Sequence, residues 1–303
     1  MNLLKTATIL LISLLAISVG SVYLGNIPNL LDYELLAPVF KVFFAVVIVC
    51  FILGEVTRNT SQVDKIWSIT PIIYAWQIAY LYNWNAKLVL VSVLITVWGA
   101  RLTYNFGRRG GYSLKFWSGE EDYRWAVLRS KPGFSNPIVW FVFDLFFICF
   151  YQNALLLLLV FPMLTLTASA IKPVDIVLSI AFLLLIFTEY TADQQQFDFQ
   201  TEKYRRINNK LPLEEYESGF IQTGLWKYSR HPNYACEQSV WVVIYLFSWA
   251  ETGKFLNQTV VGAFLLIILF RSSSEMSESI TVKKYSGYAK YQKTVGRFLP
   301  KLF

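Results

Sequence analysis

Apolar residues in this chain come in long uninterrupted blocks, separated by shorter polar segments. Soluble core helices instead show amphipathic spacing, with an apolar stripe on one face. A bilayer hydrocarbon core takes roughly 20 apolar residues per helix. On that measure the pattern predicts spans at about residues 6–25, 38–55, 67–83, 87–106, 138–167, 173–192, 234–250 and 255–271. The expected fold is all-α, a polytopic transmembrane helical bundle of about 7–8 spans. The block 138–167 exceeds one bilayer thickness, so it is expected to tilt, or to break near Gln152-Asn153 or Pro162. The first block has one early lysine, Lys5, and small residues around Ser18-Val19-Gly20, as a signal peptide would. Its apolar run is longer than a typical signal core, which favours a retained helix.

Nearly all the polar sequence falls in three segments, 107–137, 193–233 and 272–303. With eight spans, all three lie on one side, together with most of the lysines and arginines. The other side receives Lys87, Lys172 and Lys254, with Lys41 close to it. The positive-inside rule makes the basic side cytosolic and puts both termini there. That face also suits anionic lipid head groups. A site for a charged, water-soluble ligand is expected on it. The expected organisation is N-terminal helices over 1–60, then a membrane domain over 61–303 whose ligand-binding half starts near 185.

Composition narrows the classes. Charged residues make up 16% of the chain, against about 25% in soluble domains. Mean hydropathy is +0.44. Cys50, Cys149 and Cys236 form no CxxC pair, and His231 is the sole histidine. A zinc site built from His and Cys is not expected, because no two such residues have ligand spacing. Neither a G-x-G-x-x-G nor a G-x-x-x-x-G-K sequence occurs, which excludes the Rossmann and P-loop routes to nucleotide binding. No nucleic-acid partner is expected; membrane lipids are.

Ionisable residues inside spans are costly and point to function. Arg101, Asp144, Glu189, Glu237 and Arg271 each fall in the cytosolic half of a predicted helix, which suggests a shared polar cavity. End-of-helix residues snorkelling to the interface are the plainer reading. Glu189, Asp193, Gln196 and Gln200 recur at i, i+4, i+7 and i+11, on one stripe of a helix running out of the membrane. Then comes Tyr228-Ser229-Arg230-His231-Pro232-Asn233-Tyr234. Pro232 suits the first turn of a helix, and a helix start attracts anions. Arg230 has the geometry to grip a phosphate or carboxylate, and His231 adds a donor. A lipid head group and a nucleotide would both satisfy this segment.

The block Gly224 to Glu237 resembles the signature of the steroid 5-alpha-reductase C-terminal family, and most of all its broad, largely uncharacterised branch. Further pieces fit in order: Val63-Asp64-x-x-Trp67, Trp98-Gly99-x-Arg101-Leu102, Gly119-Glu120-Glu121-Asp122-Tyr123-Arg124, Glu189-x-x-x-Asp193-x-Gln195 and Tyr285-x-x-Tyr288-x-x-Tyr291. The resemblance covers about residues 60 to 303. The Arg-His-Pro-x-Tyr piece alone is shared with membrane methyltransferases such as isoprenylcysteine carboxyl methyltransferase. The resemblance implies a lipophilic substrate with a carbon–carbon double bond conjugated to a carbonyl, reduced by NADPH. By position, Glu189, Asp193, Asn233, Tyr234 and Glu237 would contact the nucleotide. Arg230, His231 and Arg271 would face its phosphates, and Tyr285 and Tyr288 would close the pocket. Tyr104, one turn after Arg101, is the candidate proton donor, with Asp64 as its partner. Cys236 departs from the family, which carries glycine before the glutamate.

Two other readings follow from the same residues. Arg271-x-x-x-Glu275-x-x-Glu278 is similar to the acidic motif of S-adenosylmethionine-dependent lipid or prenylcysteine methyltransferases. A catalytically inactive, lipid-binding membrane protein would also keep the fold. The family implies the endoplasmic reticulum membrane in a eukaryote and the inner membrane in a bacterium.

Overall fold

Asp32 opens the first long helix: the Leu35 N–H donates to its Oδ1 at 3.0 Å, satisfying one of the donors a helix start leaves over. This helix, α1, runs Tyr33–Thr57 and stops where Arg58 turns left-handed at φ 51°. The structure is a computed structural model and describes residues 30–113, 115, 121–167 and 170–301, with Val19, Tyr23 and Ile27. The expected span at 6–25 lies outside the described residues but for Val19 and Tyr23. Gly119 and Glu120 also lie outside them.

After α1 come α2 (Gln62–Ile66), α3 (Thr70–Leu81), α4 (Ala86–Gly107), α5 (Tyr123–Arg129) and the long α6 (Pro137–Thr165). Then follow α7 (Pro173–Asn208), α8 (Pro232–Thr252), α9 (Val261–Lys284) and α10 (Tyr288–Thr294). The described residues form helices and no strand, apart from one isolated bridge between Ser229 and Gly296. In hydrocarbon every backbone polar group must be satisfied internally, and a helix does this within one segment. Five helical stretches are long and apolar enough to cross a membrane: Tyr33–Thr57, Ala86–Gly107, Pro137–Thr165, Pro173–Asn208 and Gln258–Lys284. The chain is an integral membrane protein.

The block 67–83 is expected as a full span but gives a helix of only 12 residues. Its C-terminal end is broken by Asn83 and Trp84, both left-handed at φ 53° and 57°. The block 138–167 stays helical but changes type three times, starting α-helical over Pro137–Phe143. It is π-helical over Asp144–Tyr151, α-helical over Gln152–Val160 and 3₁₀ over Phe161–Thr165. The last two changes fall at Gln152 and beside Pro162, where the sequence marks weak points; the first, at Asp144, is not marked.

The chain divides into two compact units, Met1–Ser179 with Trp241–Leu266, and Ile180–Val240 with Ile267–Phe303. In the first unit, Gly99 lets α4 approach the start of α3: a Cβ there would lie 2.5 Å from the Ser68 carbonyl oxygen. Next to it, Trp98 packs edge-on against Trp241, with centroids 4.8 Å apart. Gly262 plays the same part against α6, where a Cβ would meet the Leu158 carbonyl carbon at 2.5 Å.

The first unit also buries an ionic staple. Lys87 has 0% side-chain exposure, and its Nζ lies 3.0 Å from Asp175 Oδ2 and 2.7 Å from Glu251 Oε2. Lys172 Nζ reaches the same Glu251 oxygen at 3.0 Å. Three helices, each contributing one charge, are joined at one point. Removing one partner from such a buried pair costs about 3–5 kcal/mol, because it leaves the other charge uncompensated. Lys87→Met is therefore expected to lower the thermal midpoint of the purified protein sharply, and Lys172→Met, at an exposed side chain, only slightly. Differential scanning fluorimetry in detergent reads both; equal effects would show that burial does not set the cost.

Candidate functional site

In the second unit the start of α8 is built by the chain on either side of it. Gly224 sits at φ +59°, where a side chain would be strained, and a Cβ there would run into the Gln195 amide at 2.5 Å. That close approach lets the Leu225 N–H donate to Gln195 Oε1 at 2.9 Å. Trp226 follows, donating from its indole to the Ala192 carbonyl at 3.1 Å. The Gly224–Lys227 turn is thus pinned to α7, which orients the Arg-His-Pro-Asn-Tyr segment that follows.

The chain's tail is held against that segment. The backbone N–H groups of Arg230 and His231 donate to the Gly296 and Arg297 carbonyls at 2.9 and 3.0 Å. The Ser229 hydroxyl donates to the Arg297 carbonyl at 3.0 Å. Beneath the tail lies an aromatic cluster of Phe220, Tyr288 and Tyr291, with Tyr285 packed on it. Gly219, at φ +77°, makes room for the Tyr285 ring.

Glu278 on α9 is the electrostatic centre. It accepts from Arg230 Nε at 2.7 Å and Nη2 at 3.2 Å, and from Gln292 at 2.8 Å. His231 Nε2 lies 2.9 Å from the same carboxylate, and Arg297 Nη2 at 3.4 Å. Arg230 Nη1 donates further to the Gln292 carbonyl at 3.0 Å and to the Val295 carbonyl. Arg230 is therefore buried and fully engaged within the protein. Of the three groups expected at a phosphate, Arg271 is the one at the surface, with 63% side-chain exposure and a 3.1 Å pair to Glu275.

A second feature of the unit is a row of buried polar groups. Glu189 and Asp193 on α7 are one turn apart, as are Asn233 and Glu237 on α8. Glu189, Asp193 and Glu237 are all buried. The two helices meet through Asn233, whose amide donates to Asp193 Oδ1 at 3.1 Å, while its own Oδ1 caps the Tyr234 N–H at 3.0 Å. The Tyr234 ring stacks on His231, with centroids 5.3 Å apart. These acceptors suit hydroxyl and amide groups of a ligand such as the riboses and carboxamide of a dinucleotide. Cations for its phosphates are fewer, since Arg230 and His231 already serve Glu278.

Tyr104 and Asp64 belong to the first unit. Tyr104 is exposed, with the Arg108 guanidinium over its ring at 5.3 Å. Asp64 on α2 lies beside Ser61, Arg124 and Trp125, where the loop 121–124 docks: the Asp122 N–H donates to Ser61 Oγ at 3.0 Å, and the Thr60 N–H to Glu121 Oε1 at 2.9 Å. The Val63-Asp64 and Glu121-to-Arg124 pieces, far apart in sequence, are neighbours. Glu278 was seen in the sequence only as part of an acidic motif. The signal available was its place two helical turns after Arg271, facing the same side as a basic segment.

Asp64 Oδ2 is buried and has no hydrogen-bond partner among the described residues. Burial pushes this carboxyl from 3.8 up to about 6, only partly opposed by Ser61 and Arg124. The unfolded chain ionises near pH 4, so stability falls as pH rises from there through about 6. The full cost at neutral pH is about 3 kcal/mol by the standard conversion of pKa shifts to free energy. Asp64→Asn is thus expected to raise the thermal midpoint at about pH 7.5 and to leave it unchanged near pH 4. A loss of stability at the higher pH would mean that the carboxylate is held by a partner.

The family described as "Protein of unknown function (DUF1295)" matches residues 50–295. The chain is similar to an uncharacterised protein of Schizosaccharomyces pombe, 34% identical over 283 residues that cover 86% of this chain and 80% of that protein. No solved structure matches it.

Proposed function

The chain belongs to the DUF1295 family, and from that premise we propose that it is a membrane-embedded, NADPH-dependent reductase of a carbon–carbon double bond in a lipophilic enone, steroid-like or isoprenoid. The observation that carries this reading is the row of buried Glu189, Asp193 and Glu237 with half-buried Asn233, joined by the 3.1 Å Asn233–Asp193 hydrogen bond. The same residues stand in the motif order by which the chain resembles the steroid 5-alpha-reductase C-terminal family.

Bound NADPH would supply the hydride; the protein supplies position and electrostatics. Asp193 and Glu189 accept hydrogen bonds from ligand hydroxyls, and Asn233 is held by Asp193 and its own backbone so that few rotamers are left to lose on binding. Arg271 offers a surface cation to a phosphate. A hydroxyl donor would stabilise the developing enolate oxygen. The substrate's solubility in lipid makes the bilayer its source. The host membrane would be the endoplasmic reticulum or a bacterial inner membrane, with the cofactor site toward the cytosol.

Titration of the purified protein with NADPH, followed by cofactor fluorescence, is expected to saturate. Asp193→Ala is expected to weaken it about tenfold or more, about 1.4 kcal/mol. S-adenosylmethionine is expected to give no thermal stabilisation. Lipid extracts from cells with and without the protein should differ by a species two hydrogens heavier. Stabilisation by S-adenosylmethionine in place of NADPH would overturn the reading in favour of a methyltransferase.

A further inference from the structure

The first unit holds a cavity of about 550 Å³. It is lined by Glu55 and Arg58 at the end of α1, Arg129 on α5, and Ile138, Phe141 and Asp144 on α6. Three observations set it apart from a surface crevice. Asp144 is 1% exposed. Its Oδ1 meets only the weak donor Cys149 Sγ at 3.8 Å, and its Oδ2 is buried without a hydrogen-bond partner among the described residues. That oxygen faces Gly54, where a Cβ would stand 3.5 Å from it, so the missing side chain keeps the approach open. Asp144 is also the first residue of the eight-residue π-helix. Such segments are rare, and they collect at functional sites.

The charges in the cavity divide cleanly. Arg129 is spoken for: its guanidinium pairs with Glu121 at 2.8 and 3.1 Å and lies 4.6 Å over the Trp140 ring. Arg58 and Glu55 are exposed and make no ion pair among the described residues. One cation and two carboxyls are therefore open to a ligand. The wall beside them is apolar and outward-facing, with Ile138 74% exposed on a helix that can cross the membrane. A ligand that puts its polar end among the charges has its apolar part where lipid lies.

We propose that this cavity binds the head group of a phospholipid bearing a primary ammonium, with the phosphate on Arg58 and the ammonium N–H groups on Asp144 Oδ2 and Glu55. The buried acceptor requires a donor hydrogen, which a primary ammonium has and a quaternary one lacks. The phosphate meets Arg58 as a charge-assisted pair. The head is neutral overall, so a pocket with both signs suits it better than it suits a singly anionic head.

The test reads thermal midpoints of the detergent-purified chain supplemented with phosphatidylethanolamine, phosphatidylcholine or phosphatidylglycerol. Phosphatidylethanolamine is expected to raise the midpoint by roughly 5 °C over phosphatidylcholine, as a ligand specific to the folded state does. Arg58→Gln, at an exposed side chain, and Asp144→Asn are each expected to remove most of that difference. Gly54→Val, which fills the approach to Oδ2, should do the same. Should Asp144→Asn or Gly54→Val fail to fold, Arg58→Gln and the lipid panel on the unaltered chain still decide. Equal stabilisation by the ethanolamine and choline lipids, preference for phosphatidylglycerol, or an undiminished shift in Arg58→Gln would each overturn the proposal. NADPH titrations of the same variants are expected to be unchanged, which separates this site from the reductase reading.

Discussion

A charge carried on an apolar helix must find its counter-charge inside the protein, because the surrounding hydrocarbon offers none. Much of this structure follows from that constraint. In one unit Lys87 is fully enclosed and held by Asp175 and Glu251. In the other, Arg230 is enclosed and held by Glu278. Neither pair is a surface decoration, since each joins segments distant in sequence and each would leave a bare buried charge if halved. A buried charge is spent on architecture unless its partners leave part of it open.

That distinction governs what was legible in the sequence. Helices were legible, because a long apolar run carries its own hydrogen bonds and needs no partner to be recognised. The change of helix type at Gln152 and beside Pro162 was legible for the same local reason: a polar pair and a missing N–H each weaken the ladder. The shortness of the helix at 70–81 was not legible, because left-handed turns at Asn83 and Trp84 lie within an apolar, aromatic run. The neighbours of Arg230 were not legible either. Glu278 is 48 residues away along the chain, and nothing in local spacing selects it over Glu275. Asp193 and Asn233, 40 residues apart, are hydrogen-bonded to each other, a contact that the spacing of residues on α7 alone does not give. Asp144 was noticed as a charge in a span; its orphaned oxygen and the cavity at Gly54 depend on packing between α1 and α6, which a sequence does not print.

Arg230 is the place where the sequence argument and the structure pull hardest against each other. As sequence it is a phosphate clamp at a helix start. As structure it donates two hydrogen bonds to one carboxylate and two to tail carbonyls. To take a phosphate it would have to give up charge-assisted hydrogen bonds of about 1.5–3 kcal/mol each. A phosphate offers bonds of the same kind, so the exchange gains little in enthalpy. Glu278 would keep Gln292, Arg297 and His231 as partners, so its loss is softened but not removed. The balance leaves Arg230 as the post that ties residues 292–297 to the start of α8. In the proposed reading the cation for an anion is Arg271: it is exposed, and it is paired to a half-exposed Glu275 that Arg297 can hold alone at 3.1 Å. An exposed ion pair of this sort is worth about 0–1 kcal/mol, which a phosphate exceeds. Arg230 is thus a fixed arginine that shapes the helix start, and Arg271 an exposed one held only by a surface ion pair.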